Sequence, residues 1–413
     1  MVNIAIMGHG VVGSGVAEVI LKNQDIISGK AKNGINIKYI LDLKEFPGLP
    51  YSDKFTKDFN LILNDSSIQV VAEVMGGLHP AYEFTKACLE AGKSVVSSNK
   101  ELVACKGAEL LHIAEENNVN YLFEASVGGG IPVLRPLAQC LAANDLCEVQ
   151  GILNGTTNFI MTKMINDKMS FDDALALAQQ LGYAEKDPTA DIEGHDTCRK
   201  ICILAALAFG KHIYPENVYT EGITKVTSAD TAYAEFAGYV VKLIGRAKLN
   251  DTKDKCSVAV YPAFVSRSNQ LSHVEDVFNA ITVRGDAIGD VMFYGRGAGK
   301  LPTASAVVAD IIDCVKHLKA RKYLSWEDGD GSYISDHTDD TLRMYVRLTA
   351  NNNLQSVKEQ VANLFVEIKV LGRNGEADNE FAFITPFASE KTIISQLARL
   401  TDCEVLSTMR LLD

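Results

Sequence analysis

The sequence predicts an α/β protein: an N-terminal doubly wound parallel sheet, an α+β domain after it, and a small C-terminal module of ferredoxin-like order. Three observations predict this. Short β-rich apolar runs alternate with amphipathic stretches through residues 1–130. The alternation stops after Gly128-Gly129-Gly130-Ile131-Pro132. Residues 343–413 then read strand, helix, strand, strand, helix and a closing segment.

Taken in order, Val2 to Met7 is an apolar strand, followed by glycines and an amphipathic run from Gly15 to Lys22. Ile35 to Leu41 is a second strand. Val70 to Val74 and Ser94 to Ser97 are two more, separated by a helix over Ala81 to Ala91 that Gly92 caps. Tyr121 to Ala125 adds another. Parallel strands need long crossover connections, which the intervening helices supply. From Val149 to about Asn279 helices interleave with strand-like runs such as Val258 to Phe264. That pattern predicts a substrate-binding and subunit-contact domain over 131–300.

The helical run Ala304 to Leu318 is expected to return to the first domain, completing 1–130 with residues 301–320. Six carboxylates and two glycines between Ser325 and Asp340 read as an exposed linker, 325–342. Below it, Arg343 to Leu348, Leu354 to Leu364, Val366 to Leu371, Glu380 to Thr385 and Lys391 to Leu400 make up the third unit, 343–413.

Composition narrows the function classes. With 47% hydrophobic and 22% charged residues over 413, the chain has the make-up of a packed globular protein, and 413 residues suit two or three domains. A net charge of −12 argues against nonspecific nucleic-acid or anionic-membrane binding. The first strand begins at Val2, with no basic leader and no apolar run of spanning length, which predicts a cytoplasmic protein. Nine cysteines occur without a CxxC pair or a Cys/His cluster, so they are expected to be reduced. Cys88, Cys140, Cys198 and Cys202 read as small buried hydrophobes.

Gly8-His9-Gly10-Val11-Val12-Gly13 places GxGxxG between the first strand and the first helix, the context in which it signals dinucleotide binding. The first glycine permits the turn, the second admits a pyrophosphate, and the third lets helix and strand pack closely. The helix N-terminus supplies unpaired N–H groups. The alternative is a glycine-rich turn without ligand. Asp42 ends the second strand, where a carboxylate suits ribose hydroxyls and disfavours a 2′-phosphate; Lys44 pulls the other way. Asp42 as a plain strand-end residue stays open, as does NADP against NAD.

From Gly182 to Lys200 the chain reads Gly-Tyr-Ala-Glu-Lys-Asp-Pro-Thr-Ala-Asp-Ile-Glu-Gly-His-Asp-Thr-Cys-Arg-Lys. Asp196 and Lys200, four apart, share a helical face, while Glu185 and Asp191 lie on the loop before it. By spacing alone this is equally a surface ion-pair cluster. Together with Gly151-Ile-Leu-Asn-Gly-Thr-Thr-Asn158, however, the segment is very similar to the signature of the homoserine dehydrogenase family. The resemblance spans the chain, through Val74-Met-Gly-Gly77, Ser98-Asn-Lys-Glu-Leu102, Glu124-Ala-Ser-Val-Gly-Gly-Gly-Ile-Pro132 and Gly295-Arg-Gly-Ala-Gly-Lys-Leu-Pro-Thr-Ala-Ser305.

The resemblance implies a Rossmann-type cofactor domain and reversible hydride transfer between L-aspartate 4-semialdehyde and L-homoserine. That reaction serves threonine, methionine and isoleucine biosynthesis. Lys200 matches the proton donor and acceptor at the substrate oxygen, and Lys100 a second lysine near the cofactor and reacting carbon. An ammonium there stabilises and protonates the alkoxide that hydride transfer creates. Glu185 and Asp196 match homoserine-binding residues, with Asp191, Gly155, Thr156 and Gly182 beside them. Gly8, Gly10, Val11, Val12, Gly13, Asp42, Gly76, Lys100 and Gly299 match cofactor contacts. Glu124 with the carbonyls of Val127, Gly129 and Ile131 matches a monovalent-cation site, usually sodium; a special glycine turn without metal is the alternative.

A glycine loop specifies cofactor and not chemistry, so a dehydrogenase for another small substrate and a nucleotide-sensing regulator were the competing classes. The Glu185–Lys200 signature argues against the first, and the presence of both lysines against the second. The family also implies a homodimer or tetramer. The C-terminal module resembles an ACT domain, which in relatives commonly transmits inhibition by L-threonine. Here Ala350-Asn351-Asn352-Asn353-Leu354 lacks the aspartate and glycine of effector-binding members, so a mainly structural role is favoured.

Overall fold

The computed structural model describes residues 1–318, 320 and 324–413; residue 319, within the expected 301–320 segment, lies outside the described residues. The chain forms two compact units. The first comprises Met1–Cys147, Cys202–Glu216 and Val283–Gly331, the second Glu148–Ile201, Asn217–Thr282 and Ser332–Asp413. The expected boundaries at 130 and 300 therefore move to 147 and 283, and residues 343–413 do not form a separate third unit.

The first unit is built on β1 (Val2–Met7), β2 (Ile35–Leu41), β3 (Phe55–Thr56), β4 (Ile68–Glu73), β5 (Ser94–Ser97) and β6 (Tyr121–Leu122). They pair in the order β3-β2-β1-β4-β5-β6, and every pair is parallel. In such a sheet the strand order reverses between β1 and β4. The crevice beyond their C-terminal ends is where ligands bind. The strand expected to run to Ala125 stops at Leu122, because Glu124–Ser126 turns into a 3₁₀ segment that Asp310 holds by accepting from Glu124 N at 2.9 Å.

The helix Val11–Lys22 and the later helix Lys300–Lys316 cover this sheet, and Ile4, Ile6, Val16, Ile20, Val70, Val96, Val307 and Ile311 share one core. Gly15 makes the helix contact close: a Cβ there would sit 2.9 Å from Lys300 O and 3.0 Å from Ala304 Cβ. The helix Lys100–Glu116, not foreseen from the sequence, buries Leu102, Val103, Leu110 and Ile113.

In the second unit the strands are β7 (Leu146–Ile152, whose start lies in the first unit), β8 (Tyr219–Thr220), β9 (Tyr239–Leu249), β10 (Cys256–Ser266) and β11 (Phe278–Gly285, whose end lies in the first unit). β12 (Gly289–Arg296) belongs to the first unit. The C-terminal residues add β13 (Thr341–Leu342), β14 (Met344–Ala350), β15 (Lys369–Leu371), β16 (Glu380–Ile384), β17 (Ala388–Ser389) and β18 (Cys403–Leu412). Strands β18-β14-β16-β15 lie side by side, which is the βαββαβ ferredoxin-like order, over a core of Val346, Leu348, Val357, Val361, Phe383 and Ile393. That module continues the neighbouring sheet, since β18 pairs parallel with β10 through Ala263–Arg410, Phe264–Leu411 and Val265–Leu412.

Two further expectations are corrected. Trp326 and Tyr333, in the acid-rich stretch read as an exposed linker, are buried. Trp326 donates its indole N–H to His212 Nδ1 at 2.9 Å and lies against Gly107, where a Cβ would meet the ring at 2.6 Å. Tyr333 O accepts from Cys256 N at 2.9 Å. Five of the six carboxylates are exposed while two aromatic rings bury, a split that average composition hides. None of the nine cysteines is in a disulfide; Cys88, Cys198 and Cys202 are buried, but Cys140 is exposed, because the turn Pro136–Cys140 spends its inward side on Leu137.

Lys242 in β9 is a buried cation that joins the Gly151–Asn158 motif to the loop before β11. Its Nζ donates to Asn158 Oδ1 at 2.9 Å and to Val274 O at 2.5 Å, while Asn158 Nδ2 reaches the carbonyls of Val274, Asp276 and Phe278. Burial pushes this ammonium from 10.5 down to about 8. Between those two values the unfolded chain holds the extra proton, so this residue's contribution to stability rises with pH. Relative to Lys242→Met, the wild-type unfolding free energy is expected to grow by about 3 kcal/mol from pH 8 to 10.5. Urea unfolding at both ends of that range checks this; a pH-independent difference would count against it.

Candidate active site

At the sheet's switch point, Gly8 adopts φ +98° and its N–H donates to Leu41 O at 2.8 Å. A Cβ on Gly13 would lie 2.0 Å from Gly8 O, whereas one on Gly10 would meet nothing within 4 Å. Close packing is thus required at the third glycine and open backbone is presented at the second. Val11 is exposed beside it, with Val12 partly buried. Asp42 closes onto the same loop: Oδ2 accepts from His9 N at 2.7 Å and Oδ1 from Lys44 N at 2.9 Å. The His9 ring is buried against Phe46, Tyr51 and Phe55, a role the sequence did not signal.

Across the crevice stands Glu73, the last residue of β4, which sequence reasoning missed although a lone carboxylate in an apolar strand was a signal. It is fully buried. Oε2 accepts from Ser97 Oγ at 2.6 Å and Oε1 from Met75 N at 3.0 Å. Burial raises its pKa, and these hydrogen bonds oppose the shift. Asn99 caps the helix Lys100–Glu116 through Leu102 N and donates to Gly77 O at 2.6 Å. Glu73 and Asn99 therefore tie the left-handed turn of Gly76 and Gly77 to the helix start that carries Lys100. Gly299, at φ +124°, precedes the helix Lys300–Lys316.

Glu124 is also buried. Its Oε1 accepts from Val133 N at 2.6 Å and Leu134 N at 2.8 Å, and Oε2 from Arg135 N at 2.8 Å. Three of the roughly four acceptor positions of the carboxylate are thus used by backbone. Around it the glycine turn is tight: a Cβ on Gly128 would meet Ile131 O at 2.4 Å, and one on Gly129 would meet Gly297 O at 2.3 Å. Asp310 sits behind, paired with Arg135, and burial pushes its carboxyl up to about 7 against the pull of that arginine. Among the described residues no group of three or more His, Cys, Asp or Glu side chains could hold a metal ion.

The second unit holds a compact charged cluster. Asp196 and Lys200 begin the helix His195–Phe209 and are 2% and 7% exposed, so the alternative of a surface ion pair is excluded. Lys200 Nζ lies 2.8 Å from Asp196 Oδ2 and donates to Leu153 O at 2.8 Å. Asp191, one loop earlier, is joined to Asp196 through Asn154, a residue the motif contained but sequence reasoning gave no role. Thr156, buried at the start of the helix Gly155–Asn166, donates to Tyr183 O at 2.7 Å and so fixes the turn after Gly182. Gly155 allows a close crossing, since a Cβ would lie 2.7 Å from Val277 O. Glu185 is exposed, with its carbonyl accepting from Gln179 Nε2.

An open glycine loop at the switch point of an all-parallel 3-2-1-4-5-6 sheet is the dinucleotide-binding arrangement, and a buried ammonium on carboxylate and carbonyl oxygens is the acid a carbonyl reduction needs. The class is that of a nicotinamide-dependent oxidoreductase. The family model for the homoserine dehydrogenase NAD-binding domain matches residues 8–124, and that for homoserine dehydrogenase residues 132–312. A homoserine dehydrogenase of Bacillus subtilis is 35% identical over 99% of this chain and 97% of its own length. The crystal structure of one from Thiobacillus denitrificans matches 100% of this chain and 98% of its own with a TM-score of 0.90 at 33% identity. A hyperthermophilic archaeal homoserine dehydrogenase mutant in complex with NADPH matches 76% of this chain and 97% of its own, with TM-score 0.65 and 29% identity. The chain belongs to the homoserine dehydrogenase family. Among the described residues no helix is long and apolar enough to cross a membrane.

Proposed function

We propose that this enzyme interconverts L-aspartate 4-semialdehyde and L-homoserine with NADP or NAD, with Lys200 as the group that gives the substrate oxygen its proton and takes it back. The observation that carries the reading is the Lys200 ammonium, held between Asp196 and Leu153 O in a buried cluster. When bound, the reduced nicotinamide supplies the hydride. Lys200 then stabilises the alkoxide and protonates it, and Lys100 supplies the second cation of the site. Asp196 and Glu185 accept from the substrate's ammonium and hydroxyl groups, with Asp191, Gly155, Thr156 and Gly182 completing the substrate site. Gly8, Gly10, Val11, Val12, Gly13, Gly76 and Gly299 border the cofactor, and Asp42 its adenosine ribose. NADPH is supported by the archaeal relative's complex.

Glu124 and the carbonyls of Val127, Gly129 and Ile131 would hold a monovalent cation, sodium by choice. An oxygen-only donor set with one carboxylate acceptor position left by the backbone suits a hard ion of low charge. The same reading places the enzyme in the cytoplasm, in threonine, methionine and isoleucine biosynthesis, as a homodimer or tetramer, which light scattering tests.

The C-terminal residues act as an ACT-like module with a mainly structural role and little or no response to L-threonine. Asn353 caps the helix Leu354–Leu364 in a turn without a carboxylate, and β18 extends the sheet from β10. Removing the module would bare the β10 edge, so threonine is to be tested on the full chain. The deciding assay follows NADPH and NADH oxidation with aspartate semialdehyde. Semialdehyde-dependent oxidation, reversed by homoserine with the oxidised cofactor, is the expected result; no turnover with either cofactor would refute the reading.

A further inference from the structure

Leu153 and Asn154 lie where β7 gives way to the helix Gly155–Asn166, and the backbone carbonyl of one and the side chain of the other both serve the charged cluster. Asn154 is 5% exposed. Its Oδ1 accepts from Thr157 N at 2.8 Å, capping the helix. Its amide nitrogen gives one hydrogen to Asp191 Oδ1 at 2.7 Å and the other to Asp196 Oδ2 at 2.9 Å. The same Asp196 oxygen lies 2.8 Å from Lys200 Nζ.

We infer that Asn154 is a positioning residue of the reaction: its neutral amide holds two carboxylates side by side and thereby sets the place and the proton affinity of Lys200. The inference rests on the reading of Lys200 as proton donor and acceptor. Two like charges at this spacing repel, and a forked NH₂ is the smallest side-chain group that can bind both while its own oxygen stays on the helix end. The bridge joins two carboxylates to one ammonium. An added anion would favour the charged lysine, while loss of the bridge would let Asp191 and Asp196 separate and release the ammonium from its place.

Helix capping alone would make a different demand. Aspartate and serine cap helices about as well as asparagine, so a mere cap tolerates both. Asn154→Asp keeps the cap, cannot donate, and adds a charge. It is expected to lower kcat by about 10²-fold, since misplacement of the reacting group by ~1 Å costs that much. It should also move the Lys200-dependent limb of the pH profile up by roughly one unit in both directions of reaction. Asn154→Ser keeps the cap with one donor at most, and should raise the homoserine KM while leaving the limb nearer its wild-type position. Both are measured beside Lys200→Ala, with thermal melts and NADPH binding as controls; if N154D does not fold, N154S decides by KM against kcat. An inactive K200A with wild-type kcat, KM and pH profile in the Asn154 variants overturns this inference alone. An active K200A overturns the reading of Lys200, and this inference with it.

Discussion

Replacing Lys200 by alanine is expected to lower kcat by roughly 10² to 10⁴-fold in both directions while NADPH binding stays near the wild-type value. The cofactor loop of Gly8, Gly10 and Gly13 is built from β1 and the helix after it, with no contribution from the residues around Lys200. On the proposed reading, what the substitution removes is the acid at the substrate oxygen. It also strips Asp196 of the ammonium at 2.8 Å, leaving a buried carboxylate with less compensation. Part of the loss should therefore appear as a higher homoserine KM. Steady-state kinetics together with a fluorescence titration of NADPH separate the two effects. A K200A enzyme with kcat within a few-fold of wild type would remove this lysine from proton transfer.

The largest stability effect is expected at Arg410. Its guanidinium forks onto Glu390, donating from Nε to Oε2 at 2.7 Å and from Nη2 to Oε1, and lies over the Tyr261 ring at 4.4 Å and the Tyr219 ring at 5.0 Å. Both charged partners are buried. Arg410→Met keeps the stem and leaves Glu390 without its cation, which typically costs about 3–5 kcal/mol. The loss falls on β18, the strand that links the C-terminal module to β10. Adding Glu390→Gln should recover much of it. Urea midpoints of the single and the double variant check both statements; an R410M chain with the wild-type midpoint would show that the fork contributes nothing.

Much of the fold was legible because its signals are local. β1, β2, β4 and β5 are short apolar runs, and within the pairs β1–β2 and β4–β5 the neighbour in sequence is also a neighbour in the sheet; the glycine spacing of 8, 10 and 13 follows from contacts inside one turn. The helix Leu354–Leu364 and the βαββαβ order were readable for the same reason. Asp196 and Lys200 were readable as a pair from their spacing of one helical turn.

Other features depend on groups far apart in the chain. Asn154 meets Asp191 and Asp196 across 37 and 42 residues, and no pattern around Asn154 announces that its amide will bridge them. Glu73 finds Ser97, and Glu124 finds both Arg135 and, through its backbone, Asp310, only when separate segments pack together. The parallel pairing of β18 with β10 is of this kind too, since a strand's own sequence carries no record of which edge it will meet. The sequence by itself thus determined the glycine loop, the strands of the first sheet up to β5 and the Asp196–Lys200 pair, all properties of short segments. Tertiary structure alone decided that Asn154 joins Asp191 to the Asp196–Lys200 pair, where the unit boundaries fall and that the C-terminal module extends the sheet, because each depends on burial and pairing between distant segments.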